Sequence, residues 1–352
     1  MLYLIDMGNK NYNNNKGHNN YQKDNHYNNK NSPKKKYPPK PRVVTTPPSP
    51  KLTVDEIIEY CKNDLGISFN LRSEEYVKSF LQKNNYFFRL KQYAETWTER
   101  TKSGKYIGLD FGHLIELSTI DMFFRKIMFK MTSDLEHFLK VKIVNECQNN
   151  DKDDGYEVVQ AFFNSYPNIK YYVENSKYLS DYTGSDFSRY AYNPAVWNLV
   201  EVLQFNDFIS FYSFYYEYFN IECEYTAQFK SIKNLRNAAA HNVCILCSFT
   251  PVKKFEYDAG LCMELTQKLK TLNSGTITCL MKVPVLNDFA VLISLYSRLA
   301  TSKNVRKKTL EELKEFFDGR VVYHKEYFEG CTNIINTYKF AREIIEVYGG
   351  DE

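Results

Sequence analysis

HLIELSTIDMFFRKIMFKMTSDLEHFLKVKIVNECQ, residues 113–148, decides the fold class. Leu114, Leu117, Ile120, Phe124, Ile127, Phe129 and Met131 recur mostly at three- and four-residue steps, the spacing of one helix face. Leu135, Phe138, Leu139, Ile143 and Val144 carry the stripe onward. Ser133 and Glu136 have the spacing of a capping box, so the pattern also fits two helices meeting at Thr132.

Upstream the same period recurs. Thr53 and Glu56 have capping-box spacing ahead of an Ile57, Ile58, Cys61, Leu65 stripe that stops at Gly66. Ser73 opens a second helix through Tyr76, Val77, Phe80 and Leu81, and a third runs from Tyr86 to Tyr93 and on towards Trp97. ERTKSGKYIGLDFG, residues 99–112, is a turn-rich connection with room for a short hairpin. Downstream, residues 149–190 are polar and irregular, an insertion with one short helix near 167–176. Helices resume over Trp197–Tyr218 and Glu224–Phe249, and further segments fall near 276–300, 305–318 and 323–347. No repeat is visible and hardly any segment alternates with period two. The class is all-α.

Composition bounds the rest. An apolar content of 43% fills a real core, and 25% charged residues is ordinary for a soluble chain of 352 residues. The 29 tyrosines and 25 phenylalanines can stack on bases, but helix packing accounts for most of them. Residues 1–50 hold eight lysines and Arg42 against Asp6 and Asp24, a charge of +7, so the remainder carries −3 of the net +4. Sequence-independent attraction to phosphate therefore comes from the tail or a local patch. The Asn-, Lys- and Pro-rich tail has too few large apolar groups to offset the entropy of ordering. The domain reading is a disordered basic tail over 1–50 and a helical domain over 51–352. Eight cysteines lie scattered through apolar stretches, MLYLID is too short for a signal peptide, and no apolar run nears the roughly 20 residues of a membrane span. Those features point to reduced thiols in a cytoplasm, with no membrane partner.

Leu235-Arg236-Asn237-Ala238-Ala239-Ala240-His241-Asn242 carries the chemistry. On a helix, Asn237 and His241 share a face, whereas Arg236 and His241 stand about 140° apart, a gap a long arginine can swing across. The alanines keep the surface low, so a partner helix can approach. Cleaving RNA without metal uses the neighbouring 2′-hydroxyl as nucleophile. It needs a proton carrier, which suits histidine, and a charge stabiliser for the phosphorane-like transition state, which suits arginine's fork. Asparagine can orient either. One Arg and one His is a thin apparatus for two proton transfers, and two copies across a two-fold axis supply the second set.

An isolated R-x4-H occurs by chance in many proteins, and a lone helical His is more often packed or capping. Cys244-x-x-Cys247 lacks a second ligand pair for zinc and the strand-to-helix setting of a redox pair, and reads as packed thiols. No metal or cofactor is expected. Glu136 can pair with Arg236 or with Lys140, its i+4 neighbour, and Asp121 with Arg125 looks structural.

The flanks add a resemblance. Asn85-Tyr86-Phe87-Phe88-Arg89-Leu90-Lys91-Gln92-Tyr93 resembles the "YYRLxxY" block of the Abi-like abortive-infection family (AbiD/AbiF type) of the HEPN superfamily. The Leu117, Asp121, Arg125 spacing with Leu135, Glu136 and Lys140 resembles that family's first long helix, and Val196–Phe205 its "W-x-x-x-E-x-x-x-F" block. Arg236-Asn237-x-x-Ala-His241 resembles the R-x4–6-H motif. The blocks keep their order over about residues 67–247. One departure is Asn242, where many relatives carry a second histidine.

The resemblance implies a HEPN-type helical bundle, core about 113–250, with additional N-terminal helices and a C-terminal helical part over about 251–352. It also implies a homodimer bringing two Arg236 and two His241 to one ribonuclease centre. In this reading Arg236 holds the phosphate, His241 moves protons, Asn237 orients them, and Glu136 and Lys140 support. The implied role is a phage-defence toxin restrained by a small non-coding RNA antitoxin. The rival reading is an RNA-binding module that uses the same residues as phosphate contacts without turnover.

Overall fold

Asp110 turns the chain into the helix that organises the rest. Its side chain accepts the Gly112 N–H at 2.8 Å while its own N–H donates to His113 Nδ1 at 2.9 Å, a reciprocal cap. The structure is a computed structural model that describes residues 51–175, 190 and 192–349. The tail over 1–50 lies outside the described residues.

Fourteen α-helices follow one another among the described residues: α1 (Val54–Asn63), α2 (Glu74–Lys83), α3 (Phe87–Tyr93), α4 (Phe111–Asn149), α5 (Glu157–Ser165), α6 (Pro167–Asn175), α7 (Val196–Val202), α8 (Phe205–Tyr218), α9 (Phe229–Ala240), α10 (Ala259–Lys268), α11 (Ser274–Met281), α12 (Pro284–Leu299), α13 (Lys303–Asp318) and α14 (Thr332–Gly349). Short 3₁₀ turns lie at Ala94–Thr96 and Lys325–Phe328. The described residues contain two isolated bridges and no strand; one, Arg100 with Tyr106, lies in the 99–112 stretch read as having room for a hairpin, where the Thr101 N–H donates to the Lys105 carbonyl at 2.8 Å and the Ile107 N–H to Glu99 at 3.2 Å.

The break expected at Thr132 does not occur. The Thr132 hydroxyl is fully buried and donates back to the Met128 carbonyl at 2.7 Å, which keeps it inside the helix. α4 therefore runs unbroken for 39 residues, about 58 Å at the usual rise. Met128, Met131, Leu135, Leu139 and Ile143 on one side of it are fully buried.

α4, α9 and α12 pack against one another at the centre. α12 is buried nearly all round, and α14 lies against it. The C-terminal helices thus complete the same apolar cluster that α4, α5, α7, α8 and α9 build. A second cluster gathers α1 to α3, the first turns of α4, Cys244 and Phe328.

Several boundaries differ from the sequence reading. α5 falls in the stretch read as irregular, and its Val158, Val159, Phe162 and Phe163 enter the main core. Residues 176–189 of that insertion lie outside the described set. The Trp197–Tyr218 helix is two, because Leu203 and Gln204 adopt extended backbone between α7 and α8. Pro284 occupies the first position of α12, so the 276–300 segment also splits and bends by 100°. That bent pair is the most apolar stretch, and its second helix is core. No single described helix is long and apolar enough to cross a membrane. α10 went unread.

Phe162 is fully buried among Phe211, Phe214 and Tyr166. Phe162→Ala is expected to lower stability by about 3–5 kcal/mol in urea unfolding. A loss under about 1 kcal/mol would show α5 to be an appendage.

Candidate active site at the end of α9

α9 buries Phe229, Ser231, Ile232 and Leu235, and its partly buried Ala238 and Ala239 pack on the main core. The sequence pattern extends the helix to Phe249, but the helix stops at Ala240. The stop is a hydrogen-bonded C-terminal motif. The Val243 N–H donates to the Ala238 carbonyl at 2.8 Å and the Asn242 N–H to Ala239 at 3.2 Å. Asn242 takes a left-handed φ of 55°, which asparagine tolerates better than most side chains. The motif's departure from the family pattern is thus the residue that ends the helix.

His241 is the C-cap, at φ −86° and ψ 8°. Its N–H closes the last helical bond, to Asn237 at 2.9 Å. The imidazole is exposed and makes no hydrogen bond among the described residues. The arginine is held differently. The Arg236 guanidinium lies 4.0 Å from Glu136, 3.5 Å from the Asn237 side-chain oxygen and 5.7 Å from the centre of the Phe205 ring. Lys140 pairs with the same Glu136 at 3.2 Å. Arg236 Nε is buried without a hydrogen-bond partner.

Four of the five expected site residues thus meet: Arg236, Asn237, Glu136 and Lys140. His241 stands apart, and no hydrogen bond or ring contact joins it to Arg236. Two cations face one carboxylate. The Arg236–Glu136 contact sits at the outer limit of an ion pair, so a phosphate oxygen can replace the carboxylate at little cost.

Below the motif lies a network that sequence reading only half found. Asp121 is fully buried. One of its oxygens accepts the Ile245 and Leu246 N–H groups at 3.0 and 2.9 Å. The other accepts the Tyr93 hydroxyl at 2.6 Å and pairs with Arg125. Burial pushes the Tyr93 hydroxyl up from its ordinary pKa, so it stays a donor. Arg89 lies 4.0 Å from the same carboxylate and donates to the Asn242 carbonyl at 2.5 Å. The i,i+4 spacing of Asp121 and Arg125 gave their pairing; nothing in the spacing gave their grip on residues 243–246.

Cys244 is buried, 3.9 Å from the Arg89 carbonyl, and burial pushes the Cys247 thiol up, away from the thiolate. None of the eight cysteines forms a disulfide. Among the described residues no group of three or more His, Cys, Asp or Glu gathers as a metal site.

An all-helical bundle with an Arg-x4-His motif at a helix end defines the class. The family model described as "Abi-like protein" matches residues 79–246, from α2 through the motif to Leu246. Over that stretch, just under half of the chain, the match supports an Abi-like family. No curated protein and no solved structure matches the chain.

Removing the Asp121 carboxylate leaves Arg125 uncompensated and two N–H groups unbonded. Asp121→Ala is expected to cost about 3–5 kcal/mol in chemical unfolding. A cost under about 1 kcal/mol would mean that water replaces the carboxylate freely.

Proposed function

We propose that this protein is a metal-independent endoribonuclease of the HEPN type, acting as a cytoplasmic toxin in antiphage abortive infection. The observation that carries the reading is the end of α9. There an exposed imidazole, without a hydrogen bond among the described residues, follows by five residues an arginine whose one carboxylate partner among those residues stands 4.0 Å away. Such a pair has free valence for a phosphodiester.

In this reading Arg236 binds the scissile phosphate and neutralises charge building on it. His241 takes the proton from the 2′-hydroxyl or gives one to the 5′-leaving oxygen. Asn237, whose side chain lies beside Arg236, orients the guanidinium. Glu136 holds the arginine until RNA arrives, and Lys140, paired with the same carboxylate, adds positive charge beside the phosphate. In-line displacement needs proton transfer on both sides of phosphorus, and His241 is one group. A homodimer supplies the second imidazole and guanidinium, and the exposed position of His241 leaves it available to a facing subunit. The Abi-like family supports the defence role. The non-coding RNA antitoxin rests on the AbiF-type resemblance.

The separation of Arg236 from His241 within one chain also suits the rival reading, in which both are phosphate contacts on a structured RNA without turnover. Incubating total RNA with purified wild-type and His241→Ala protein in EDTA separates the two. Nuclease action gives 2′,3′-cyclic phosphate and 5′-hydroxyl ends, and His241→Ala loses roughly 10²–10⁴-fold of the rate while remaining folded. RNA left intact by concentrated wild-type protein, with binding that weakens steeply as salt rises, would establish the binding module instead.

A further inference from the structure

Among the described residues the His241 side chain has no hydrogen-bond partner, so its place is set by the backbone on either side of it. On the N-terminal side that is α9. On the C-terminal side every residue from 242 to 246 is tied to another part of the chain. The Asn242 carbonyl accepts from Arg89 Nη1 at 2.5 Å, and its side-chain oxygen lies 3.5 Å from Nη2. The Val243 carbonyl lies 3.5 Å from Arg125, Cys244 Sγ lies 3.9 Å from the Arg89 carbonyl, and Ile245 and Leu246 donate to Asp121.

We propose that Arg89 is a positioning residue for His241. Among the described residues it is the side chain that hydrogen-bonds to Asn242, the residue beside the imidazole-bearing Cα, and it comes from α3, outside both α4 and α9. Its side chain is 11% exposed, and the fully buried Asp121 lies 4.0 Å behind it. The planar guanidinium fork turns Nη1 to the Asn242 carbonyl and Nη2 to the Asn242 side-chain oxygen. That fork fixes the Asn242 carbonyl, hence the left-handed turn, hence the direction in which residue 241 leaves the helix. Tyr93, one turn further along α3, donates to the same Asp121 and keeps α3 in register. A lysine in place of Arg89 keeps the charge beside Asp121 but cannot present two donors in a plane.

The inference rests on the nuclease reading only for its kinetic consequence; the positioning itself is visible without RNA. The test uses full-length wild-type, Arg89→Ala and Arg89→Lys protein. It follows the His241 imidazole resonances by NMR, assigned with His241→Ala, and amide exchange across 238–247 against that of α12. Cleavage kinetics are measured on the same samples. Arg89→Ala is expected to shift or broaden the His241 signals and to speed exchange at 242–246 while α12 stays protected. Its kcat should fall up to about a hundredfold with KM nearly unchanged. Arg89→Lys should fall between the two. If Arg89→Ala does not fold, Arg89→Lys carries the same comparison. His241 signals and exchange at 242–246 identical to wild type would overturn the proposal. Signals that move in a protein whose wild type leaves RNA intact would uphold positioning and overturn the nuclease reading alone.

Discussion

A carboxylate with none of its surface exposed is the constraint on which this structure turns. Asp121 would be costly to bury alone, and the chain surrounds it with the Tyr93 hydroxyl, two backbone N–H groups and two guanidinium groups. Those partners come from α3, from α4 itself and from the segment after α9. Satisfying one charge therefore brings three distant parts of the chain together. The motif at the end of α9 is held by that satisfaction, not by contacts of its own imidazole.

The apolar packing supplies what the network needs. α4 is long enough to carry Asp121 and Arg125 towards one end and Glu136 and Lys140 about four turns later, and α9 lies along it so that Glu136 faces Arg236 while Arg125 faces Val243. α12 backs both helices. Its Asn287 and Asp288 meet Ser231 and Asn234 of α9, a polar seam in an otherwise apolar contact that fixes how the two helices slide. Burial pushes the Asp288 carboxyl up from its ordinary range, while its hydrogen bonds to Ser231, Asn287 and Asn234 pull it back down. The C-terminal helices are in this way part of the scaffold that aims α9.

The fold class was legible because helix periodicity is a local signal. The 113–148 stripe, apart from the exposed Phe129, reports its own burial, and one long helix is what forms. Boundaries were less legible where tertiary contacts override local chemistry. Ser133 and Glu136 have capping spacing, but the buried Thr132 bonds back within the helix and Asp134 instead receives the Tyr296 hydroxyl at 2.9 Å. α5 was missed because Asp151, Asp153, Asp154 and Glu157 mask a short apolar run; Asp154 in fact caps its start, accepting the Tyr156 and Glu157 N–H groups at 2.8 Å. Within the site, i,i+4 spacing revealed Glu136 with Lys140 and Asp121 with Arg125. The reach of Arg89 to Asn242 spans 153 positions, and no local pattern encodes it. The end of the helix at His241 was hidden for a similar reason: an asparagine in the left-handed region reads like any other polar residue until its carbonyl is seen held.

The central claim is that two copies of one Arg236 and one His241 converge on a single phosphodiester. A structure of the purified oligomer bound to RNA with a 2′-deoxy sugar at the scissile position tests it directly. The account predicts a two-fold axis beside the ends of two α9 helices, with both Arg236 and both His241 side chains around one phosphate. A monomer, or a dimer whose α9 ends face away from each other, would contradict it.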